Sequence, residues 1–396
     1  MNESYQVLSE TEQGRQKIRD IKVMLLQGPR TYTLVKVIAD DGLYGIGEAY
    51  GSPGVGVKQQ IEAIKPSLIG RDPLEIDVLY TTMGQNPDPG TGWAGASRTD
   101  GSAHALMRAA SGIEMALWDL AGKILGVSST VLLGGKFRDR VRLYVDSAMT
   151  NCQERAEEAR SKGFTAIKFD LDDAGNPHKA DAWNWSVTPG ELEIMVDQAH
   201  AIREAVGPHM DLAIDLHGRY DATAGMKIAH ELEDLNLMWL EEPVPPENIQ
   251  AMANITHSTK TPICAGENAY LRYGFREIIE KQAVDIIMPD ISKCGGLSEC
   301  RKIANMAETY YIPFAPHNNS SALSTVGDAH VCASVPNFLA LEFHRFDDPT
   351  WNDVVNSDEP VIQDGHVAMT EVPGLGVELN EDFFQSMLQD GEPLWQ

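Results

Sequence analysis

The sequence predicts an α/β protein in which a β/α barrel is joined to a second domain of α+β type. Three acidic residues, Asp215, Glu241 and Glu267, follow one another at intervals of 26 residues, and a short apolar run precedes each of them. One strand, one helix and their two loops use about 26 residues. We therefore expect the three carboxylates at the carboxyl ends of adjacent parallel strands, which is the catalytic face of a β/α barrel.

Chain length and strand count predict the same architecture. A β/α barrel alone takes about 250 residues, whereas this chain has 396. Apolar segments of strand length alternate with helical segments near residues 141–146, 165–169, 210–214, 237–240, 262–265, 285–289, 312–315 and 338–341. The interval after the second of these eight segments is longer than the rest. Residues 171–190 are therefore expected to form either a substrate-pocket loop on the catalytic face or a plain surface loop.

The residues before the barrel predict a small sheet and helices. Residues 18–49 alternate apolar and polar positions, as antiparallel strands do. Apolar residues recur at helical spacing through 57–68 and 103–125. Residues 84–93 are rich in glycine and proline, which predicts an irregular, mobile loop between these helices.

The domain boundaries follow from where the strand-helix units begin and end. Residues 1–138 are predicted to form the α+β domain, and residues 139–347 are predicted to form the barrel with the catalytic residues. After residue 348 the sequence has no further strand-helix unit. Residues 348–396 are therefore expected to return to the first domain and complete it.

Composition narrows the partners and the compartment. The formal charge of −26 argues against nucleic acid and anionic membranes as partners, because both bind basic surfaces. No apolar run approaches the roughly 20 residues needed to cross a bilayer. The five cysteines lack a paired spacing and lie mostly in apolar segments, which predicts free thiols. Because no charged-then-apolar leader opens the sequence, we expect a cytoplasmic protein without disulfides.

Three further polar residues continue the regular spacing. Asp290, His317 and Glu342 follow the next three apolar segments, so six consecutive predicted strands end in an acid or a histidine. Core packing gives no reason for this pattern, because the strand interiors are apolar. His217 stands two residues after Asp215, and strand alternation predicts that both side chains point the same way.

The three evenly spaced carboxylates predict a metal site. Carboxylates that converge repel one another, and some must stay protonated unless a cation neutralises them. Oxygen ligands without cysteine select a hard cation, and Mg²⁺ is the first candidate because its sites keep positions open for water and substrate. Any one of these acids alone would more simply be a helix N-cap or a solvated loop residue. Three at one spacing favour the metal site.

The spaced acids and histidine resemble those of the mandelate-racemase-like branch of the enolase superfamily. Three segments near the amino terminus also resemble signatures of that family, at residues 44–49, 118–122 and 132–135. The resemblance covers nearly the whole chain. It implies a modified (β/α) TIM-type barrel with an α+β capping domain, Mg²⁺ held by Asp215, Glu241 and Glu267, and a homo-oligomer.

Within that branch, the chain resembles sugar-acid dehydratases of the galactonate and gluconate type. The resemblance lies in residues 168–170 and 215–220. Racemases of the branch carry two lysines on the second barrel strand, and the second lysine is a base. This chain has Lys168 followed by Asp170 there, on the same face of the strand. The departure argues against racemisation.

The resemblance implies a role for each polar residue at the barrel mouth. His317, oriented by Asp290, takes the C2 proton of a sugar acid, and Glu342 donates a hydrogen bond to the enolate oxygen. Protonated His217 donates to the departing 3-hydroxyl, which leaves a 2-keto-3-deoxy acid. Lys168 either supports the substrate carboxylate and enolate or forms a salt bridge with Asp170 inside the barrel.

The remaining candidates are substrate-binding residues. Arg219 is expected either to contact a distal hydroxyl or to brace a metal ligand. Specificity is expected in residues 50–56, in the loop around Trp93 and in the 171–190 segment. The candidates there are Tyr50, Trp93, Trp185 and Asp170. Two other functions remain open: a cycloisomerase or epimerase that uses the same enolate, and a catalytically silent sugar-acid-binding or regulatory protein.

Overall fold

The structure is a computed structural model. It describes residues 14–51, 56–84, 101–147, 151–171, 178–179, 181, 183–344, 346, 348, 350–357 and 359–395, and for residues 101–103 it describes the backbone alone. Trp93 and nearly all of the predicted 84–93 loop lie outside these ranges, as does part of the 171–190 segment.

The amino-terminal part is an antiparallel sheet covered by helices, as predicted. Its strands, in spatial order, are β1 (Ile18–Gln27), β2 (Thr31–Ala39) and β3 (Tyr44–Ala49). The helices are α1 (Val57–Leu68), α2 (Ile76–Gly84), α3 (Gly101–Leu125) and α4 (Ser129–Leu132). A Cβ atom at Gly47 would lie 2.3 Å from the carbonyl oxygen of Gly112. Glycine in β3 therefore lets the long helix α3 pack directly on the sheet.

A ring of parallel strands follows and confirms the barrel. The strands are β4 (Arg140–Ser147), β5 (Ala166–Asp170), β6 (Asp211–Asp215), β7 (Trp239–Glu241), β8 (Ile263–Ala265), β9 (Ile286–Ile287) and β10 (Leu341–Phe343). Each of β4 to β8 pairs with the next in parallel, so that the run ends at β9, and β10 pairs with β4.

The seventh position of the ring differs from the prediction. Residues 312–315 make isolated bridges instead of a regular strand, since Phe314 pairs with Ile287 on one side and with Phe338 on the other. Pro313 and Pro316 flank this point. A proline has no backbone N–H, so both residues can only accept in the hydrogen-bond ladder, through their carbonyl oxygens. The eighth strand accordingly begins later than predicted.

Helices between the barrel strands form the outer layer. They are α5 (Cys152–Ser161), α6 (Pro189–Val206), α7 (Ala222–Glu231), α8 (Ile249–Thr256), α9 (Leu271–Glu280), α10 (Ile291–Cys294), α11 (Gly296–Glu308) and α12 (Ala322–Ser334). Inside the ring, Tyr144 and Trp239 meet edge to face at 5.0 Å between ring centroids. Along each strand, side chains point alternately into the barrel and towards the helices. Because both sides are buried, the strand sequences are nearly continuous apolar runs.

The carboxyl-terminal residues contact both parts of the fold. Short strands β12 (Ile362–Gln363) and β13 (His366–Ala368) extend the barrel sheet, because β13 pairs antiparallel with β4. Strands β11 (Val355–Asn356) and β14 (Glu378–Leu379) pair with each other, and helix α13 (Glu381–Phe384) follows. Leu388 then bridges to Leu26 of the first sheet.

Buried carboxylates hold the amino-terminal part over the barrel. Glu48 at the end of β3 accepts hydrogen bonds from the backbone N–H and the hydroxyl of Ser321, at the start of α12. Glu114 in α3 accepts the backbone N–H groups of Leu297 and Ser298 at 2.8 and 2.9 Å, in the first turn of α11. Charged acceptors on otherwise unpaired helix N–H groups form strong hydrogen bonds. These contacts fix the sheet across the carboxyl ends of the barrel strands.

All five cysteines are free, and four of them are buried, which confirms the prediction of unpaired thiols. Within the described ranges, no helix has both the length and the apolar character that a membrane span requires.

Candidate active site

A cavity of about 220 Å³ lies at the carboxyl ends of the barrel strands. Seven of the predicted site residues line it: Tyr50, Lys168, Asp170, Asp215, His217, Glu267 and His317. A larger cavity of about 750 Å³ lies between α3, β8 and α9, and its walls are mostly apolar. The smaller cavity is the candidate active site, because acids, histidines and a lysine converge on it.

Two of the predicted metal ligands are neighbours in the sheet. Asp215 ends β6 and Glu241 ends β7, and the parallel register pairs the two residues. Glu241 is buried and also accepts a hydrogen bond from Trp239 Nε1 at 3.0 Å. Burial and the neighbouring Asp215 carboxylate raise the pKa of Glu241 well above its ordinary value. The two carboxylates cannot easily both be ionised without a neighbouring cation, so the pair favours a bound cation.

Lys168 on β5 contacts both of these carboxylates. Its Nζ lies 3.3 Å from Asp215 Oδ2, 2.9 Å from Glu241 Oε1 and 2.7 Å from Glu342 Oε1. Burial opposes the charge, but Glu241 and Glu342 outweigh it and raise the pKa of Lys168 well above its ordinary value. The ion pairs described for Lys168 are with these acids and Asp146, not with Asp170 as one of the two expectations had it.

The third predicted ligand, Glu267, is presented by a glycine. Gly266 has φ +138°, and a Cβ there would lie 2.8 Å from the Phe275 ring, so another residue would be strained at this position. Glu267 Oε2 lies 2.8 Å from His317 Nε2, and Glu267 Oε1 accepts a hydrogen bond from Asn268. Burial raises its pKa, but His317 and other cations outweigh burial and hold that pKa below its ordinary value.

His317 and Asp290 form the expected dyad. They pair across an isolated parallel bridge, and His317 Nδ1 lies 2.8 Å from Asp290 Oδ2. The other oxygen of Asp290 accepts from the Ser292 hydroxyl at 2.8 Å. The carboxylate therefore fixes the ring so that Nδ1 carries a proton and Nε2 faces the cavity.

His217 also reaches the cavity, but not through strand alternation. Strand β6 ends at Asp215, and His217 has φ 50°, a left-handed conformation that is uncommon for a side-chain-bearing residue. Its backbone N–H donates to Asp215 Oδ1 at 2.7 Å, and its ring Nε2 lies 3.5 Å from Asp215 Oδ2. A tight turn therefore places the imidazole, a geometry often found at functional sites.

Asp170 ends β5 beside these groups. Its Oδ1 lies 4.0 Å from His217 Nδ1. Burial and the nearby Asp146 carboxylate raise the pKa of Asp170 to about 7. The residue can therefore gain or lose a proton near neutral pH.

Tyr50 forms the roof of the cavity at the end of the first sheet. Its hydroxyl accepts from Arg30 Nη1 at 3.3 Å, and its ring lies 6.5 Å from the His317 ring, centroid to centroid. Arg108 and Lys293 lie 5.1 and 5.2 Å from the centre of the Tyr50 ring. The roof is thus a tyrosine surrounded by cations, which suits an anionic ligand.

Two predicted substrate residues stand apart from this cavity. Arg219 and Trp185 are exposed, Trp185 to 59%, and neither belongs to the cavity wall. Trp185 instead holds a loop, since its carbonyl accepts the backbone N–H of Asp221. Sequence position places both near the catalytic face, but the distance from that face to the cavity depends on loop conformation. The third aromatic candidate, Trp93, lies outside the described residues.

Four cavity residues escaped the sequence-based prediction: Arg30, Asp146, Asn319 and His344. For two of them, the sequence contains a pattern that could have predicted their place in the site. Asp146 follows the first apolar barrel segment as Asp215 follows the third, and His344 stands two residues after Glu342 as His217 stands two after Asp215. Arg30 lies in the turn between β1 and β2, and nothing in its sequence context links it to the barrel mouth.

The donor set is compatible with a hard cation. Asp215 and Glu241 end two successive strands and Glu267 follows the next strand, so all three offer carboxylate oxygens at the same end of the barrel, and none of the described residues that line the cavity is a cysteine. In the structure, Lys168 and His317 provide the positive charge at these three acids. Among the described residues, the sets whose potential ligand atoms all lie within 4.8 Å of one another are Asp170, Asp215 and His217 and, separately, His317, Glu342 and His344. The three predicted metal ligands do not form such a set in the structure.

Two family profiles match the chain. Residues 151–383 match the profile described as "Enolase C-terminal domain-like", and residues 23–134 match "Mandelate racemase / muconate lactonizing enzyme, N-terminal domain". The gap between the two matches contains β4, the first barrel strand.

Individual proteins are similar over nearly the whole chain. A D-xylonate dehydratase of Haloferax volcanii is 42% identical over 386 residues, which cover 96% of this chain and 90% of that protein. A D-galactarolactone cycloisomerase of Agrobacterium fabrum is 31% identical and covers 89% of this chain and 90% of its own length. The crystal structure of a mandelate racemase/muconate lactonizing enzyme-like protein from Rubrobacter xylanophilus has a TM-score of 0.88 at 44% identity, covering 96% of this chain and 99% of that one.

Proposed function

Because this chain belongs to the mandelate racemase/muconate lactonizing enzyme family of the enolase superfamily, we propose that it dehydrates an aldonic acid to a 2-keto-3-deoxy acid. The observation that carries the proposal is that His317 and His217 line one small cavity beside three strand-end carboxylates. Dehydration needs a base for the C2 proton and an acid for the leaving hydroxyl. The two histidines supply both.

A sugar acid of five carbons is the first substrate to test. The relative with 42% identity is named a D-xylonate dehydratase. The cavity of about 220 Å³ is smaller than the ~300–1,000 Å³ of sites for drug-sized ligands, which fits a small polar acid. Tyr50 and the cations around it suit the substrate's negative charge.

In the first step, His317 takes the proton from C2. Asp290 keeps Nδ1 protonated, so Nε2 is the nitrogen that takes the C2 proton, after it has given up the proton that it shares with Glu267 in the structure. Nε2 contacts Glu267 in the structure, and His317 must leave this contact to reach the C2 proton. The electron pair of the broken C2–H bond moves towards the carboxylate and creates an enolate.

In the second step, His217 donates a proton to the 3-hydroxyl. The C3–O bond breaks with its electron pair on oxygen, and water leaves as the enolate electrons form the C2–C3 double bond. The resulting enol tautomerises to the 2-keto-3-deoxy acid by taking a proton at C3. Lys168, fixed among three carboxylates, places positive charge beside the developing enolate.

The residues that hold the cofactor in this proposal are Asp215, Glu241 and Glu267. Bound Mg²⁺ supplies positive charge to the substrate carboxylate and so stabilises the dianion that forms when the C2 proton leaves. Enolase-superfamily enzymes stabilise an ene-diolate with Mg²⁺ in this way, and these three residues are the carboxylates that this chain offers to the ion. The pairing of Asp215 with Glu241 at adjacent strand ends and the raised pKa of Glu241 support the assignment.

Removal of Mg²⁺ is expected to abolish dehydration. After dialysis against EDTA, kcat should fall by at least about 10³-fold and return on addition of Mg²⁺, because the enolate loses its main source of positive charge. At about 100 times its Kd, Mg²⁺ should stabilise the fold by about 2.7 kcal/mol, visible as a higher Tm. Glu241→Gln should lose the Tm increase, and exposed Glu204→Gln, the control, should keep it. Full activity in EDTA would contradict the assignment.

The exposed candidates Arg219 and Trp185 are expected to matter little. Arg219→Ala and Trp185→Ala should each change kcat/KM by less than about threefold, as surface substitutions usually do. Tyr50→Ala, which removes the roof of the cavity, should raise KM for the sugar acid by about tenfold through lost contact. Steady-state kinetics on the three variants test this order. A tenfold loss in either exposed variant would show that its loop closes over the substrate.

A second candidate function is a cycloisomerase, which one relative at 31% identity is named. It would use the same enolate without a net loss of water, as an epimerase would. Semicarbazide detects the 2-keto acid that dehydration forms and no product of epimerisation, so a screen of C5 and C6 aldonates and aldarates with Mg²⁺ separates the reactions. A binding or regulatory protein has no need of both an acid and a base. A Tm increase with Mg²⁺ but no turnover of any sugar acid would favour that reading.

The free cysteines suit a reducing compartment, and we place the enzyme in the cytoplasm on that ground. Homo-oligomer formation stays a prediction that rests on the family.

A further inference from the structure

The geometry of the barrel mouth points to a third histidine in the reaction. We propose that His344, held between Asp146 and Glu342, is a permanently charged imidazolium on the cavity wall that stabilises the enolate. In this role it replaces the hydrogen-bond donation expected of Glu342. The inference rests on the proposed dehydration, and it assigns the stabilising group at the end of β10 to a different residue.

Both ring nitrogens of His344 face carboxylates. Nδ1 lies 3.0 Å from Asp146 Oδ2 and Nε2 lies 3.0 Å from Glu342 Oε1. A neutral imidazole has one nitrogen without a proton, and that lone pair would face the lone pairs of a carboxylate. Two donated hydrogen bonds satisfy the geometry, and they require a proton on each nitrogen. The ring is therefore an imidazolium.

The side chains of His344 and Glu342 differ in how far they are exposed to the cavity. The side chain of His344 is 16% exposed and lines the cavity, whereas that of Glu342 is 0% exposed and lies behind it. Glu342 Oε1 accepts from Lys168 as well as His344, and Oε2 accepts the backbone N–H of Asn318 at 3.2 Å. Both carboxylate oxygens of Glu342 accept hydrogen bonds, so Glu342 has no proton to donate to an enolate.

The groups around His344 act together on its charge. The charged and titratable groups that face it or share its cavity come from every neighbouring element: Tyr144 and Asp146 on β4, Lys168 and Asp170 on β5, Asp215 and His217 at the end of β6, Glu267 after β8, His317 after Phe314, Glu342 on β10, Tyr50 after β3 and Arg30 in the turn between β1 and β2. Burial opposes the charge of His344, but Asp146 and Glu342 outweigh it and raise its pKa. The Asp146 pKa is lowered in turn, because His344 and Lys168 outweigh its burial.

The consequence for the reaction is electrostatic. When C2 loses its proton, a substrate with one negative charge becomes a dianion inside a cavity shielded from water. A fixed cation on the wall gains more attraction from the dianion than from the substrate, so it lowers the barrier as well as aiding binding. His344 cannot rotate away, because Asp146 and Glu342 hold both ends of its ring.

Kinetics test the charge against the hydrogen bond. His344→Gln keeps an N–H donor towards Glu342 without the charge, and we expect kcat to fall by about 10²-fold with KM changed much less. The matched control is His200→Gln, because His200 belongs to an exposed histidine-aspartate pair at 3.7 Å on the outer layer. It should leave kcat unchanged. A His344→Gln enzyme with kcat within about threefold of wild type would overturn the inference.

The pH profile of a second variant separates charge from packing and serves if His344→Gln does not fold. Asp146→Asn removes one of the two carboxylates that raise the pKa of His344. The lowered pKa should enter the assay range, so the activity should fall as pH rises and His344 loses its proton. The alkaline limb of kcat/KM should therefore move to lower pH than in wild type. An alkaline limb that does not move would contradict the inference.

A readout without turnover decides the protonation state directly. In ¹⁵N-histidine NMR, the signal that disappears in His344→Gln, or shifts in Asp146→Asn, should show two protonated nitrogens at about pH 8, although a free imidazole has pKa about 6.5. A neutral ring at that pH would overturn the inference, with or without Mg²⁺. If the wild-type protein dehydrates no aldonate, the proposed function fails, and a doubly protonated ring would still establish the fixed charge that this inference requires.

Discussion

Replacing His317 by asparagine is expected to lower kcat for dehydration by about 10³-fold, because the variant lacks the base that removes the C2 proton. Exchange of that proton with solvent should fall to the same extent. The measurement uses a sugar acid deuterated at C2, with the deuterium followed in recovered substrate and product. Asp290→Asn should reduce kcat as well, since His317 loses the partner of its Nδ1 proton.

The control for this prediction is His366→Asn, in the short outer strand β13 and away from the cavity. It should behave as wild type. If exchange and dehydration persist in His317→Asn near the wild-type rate, His317 is not the base. Because His317 contacts the proposed metal ligand Glu267 in the wild type, metal binding should also be measured in His317→Asn. We expect this variant to keep the Tm increase with Mg²⁺.

Replacing His217 by asparagine is expected to separate the two steps. Dehydration should fall by about 10²–10⁴-fold, the range for loss of a general acid, whereas exchange at C2 should continue. The reason is that His317 and its carboxylate partner remain in place when the acid for the 3-hydroxyl is gone. Incubation in D₂O, with deuterium measured at C2 of the recovered substrate, gives the exchange rate independently of product formation.

His217 also touches Asp215, so metal binding has to be measured in the same variant. A Tm increase with Mg²⁺ equal to that of wild type would show that the site is intact. Loss of exchange together with dehydration, in a variant that still binds Mg²⁺, would mean that His217 does not act only as the acid of the second step.

The spacing of Asp215, Glu241 and Glu267 was enough to predict the barrel and the face on which these acids lie. The prediction worked because a strand-helix unit has a nearly constant length, and the residue after each apolar segment therefore reaches the same edge of the sheet. The same logic placed Asp290 and His317 side by side. Which strand ends lie side by side depends on the order and length of the strands and helices, and these can be predicted from the sequence.

Side-chain partners were harder to predict. Lys168 contacts Asp215, Glu241 and Glu342 but not its strand neighbour Asp170, because the barrel closes around it and brings distant strand ends nearer. Such distances depend on barrel radius and side-chain conformation, which no spacing rule contains. Loop residues fail for a related reason: backbone conformation, not position in the sequence, keeps Trp185 outside the cavity.

The histidines show which features of the site the sequence predicts and which become visible only in the structure. His217 reaches the cavity as expected, yet a left-handed turn places it there and not strand alternation. His344 has the same offset from Glu342 as His217 has from Asp215, but its importance becomes visible only when Asp146 is seen at its other nitrogen. A pair of contacts from two strands at opposite ends of the barrel sequence cannot be read from either segment alone.

The reaction of the wild-type enzyme with D-xylonate in D₂O tests the central claim most directly. We expect loss of one water per turnover and a 2-keto-3-deoxy product that carries one solvent deuterium at C3, in a reaction that needs Mg²⁺. Mass spectrometry and proton NMR read both features from one sample. A product that is an epimer of the substrate, with unchanged mass, would show that the enolate is used for a different second step and would contradict the proposed dehydration.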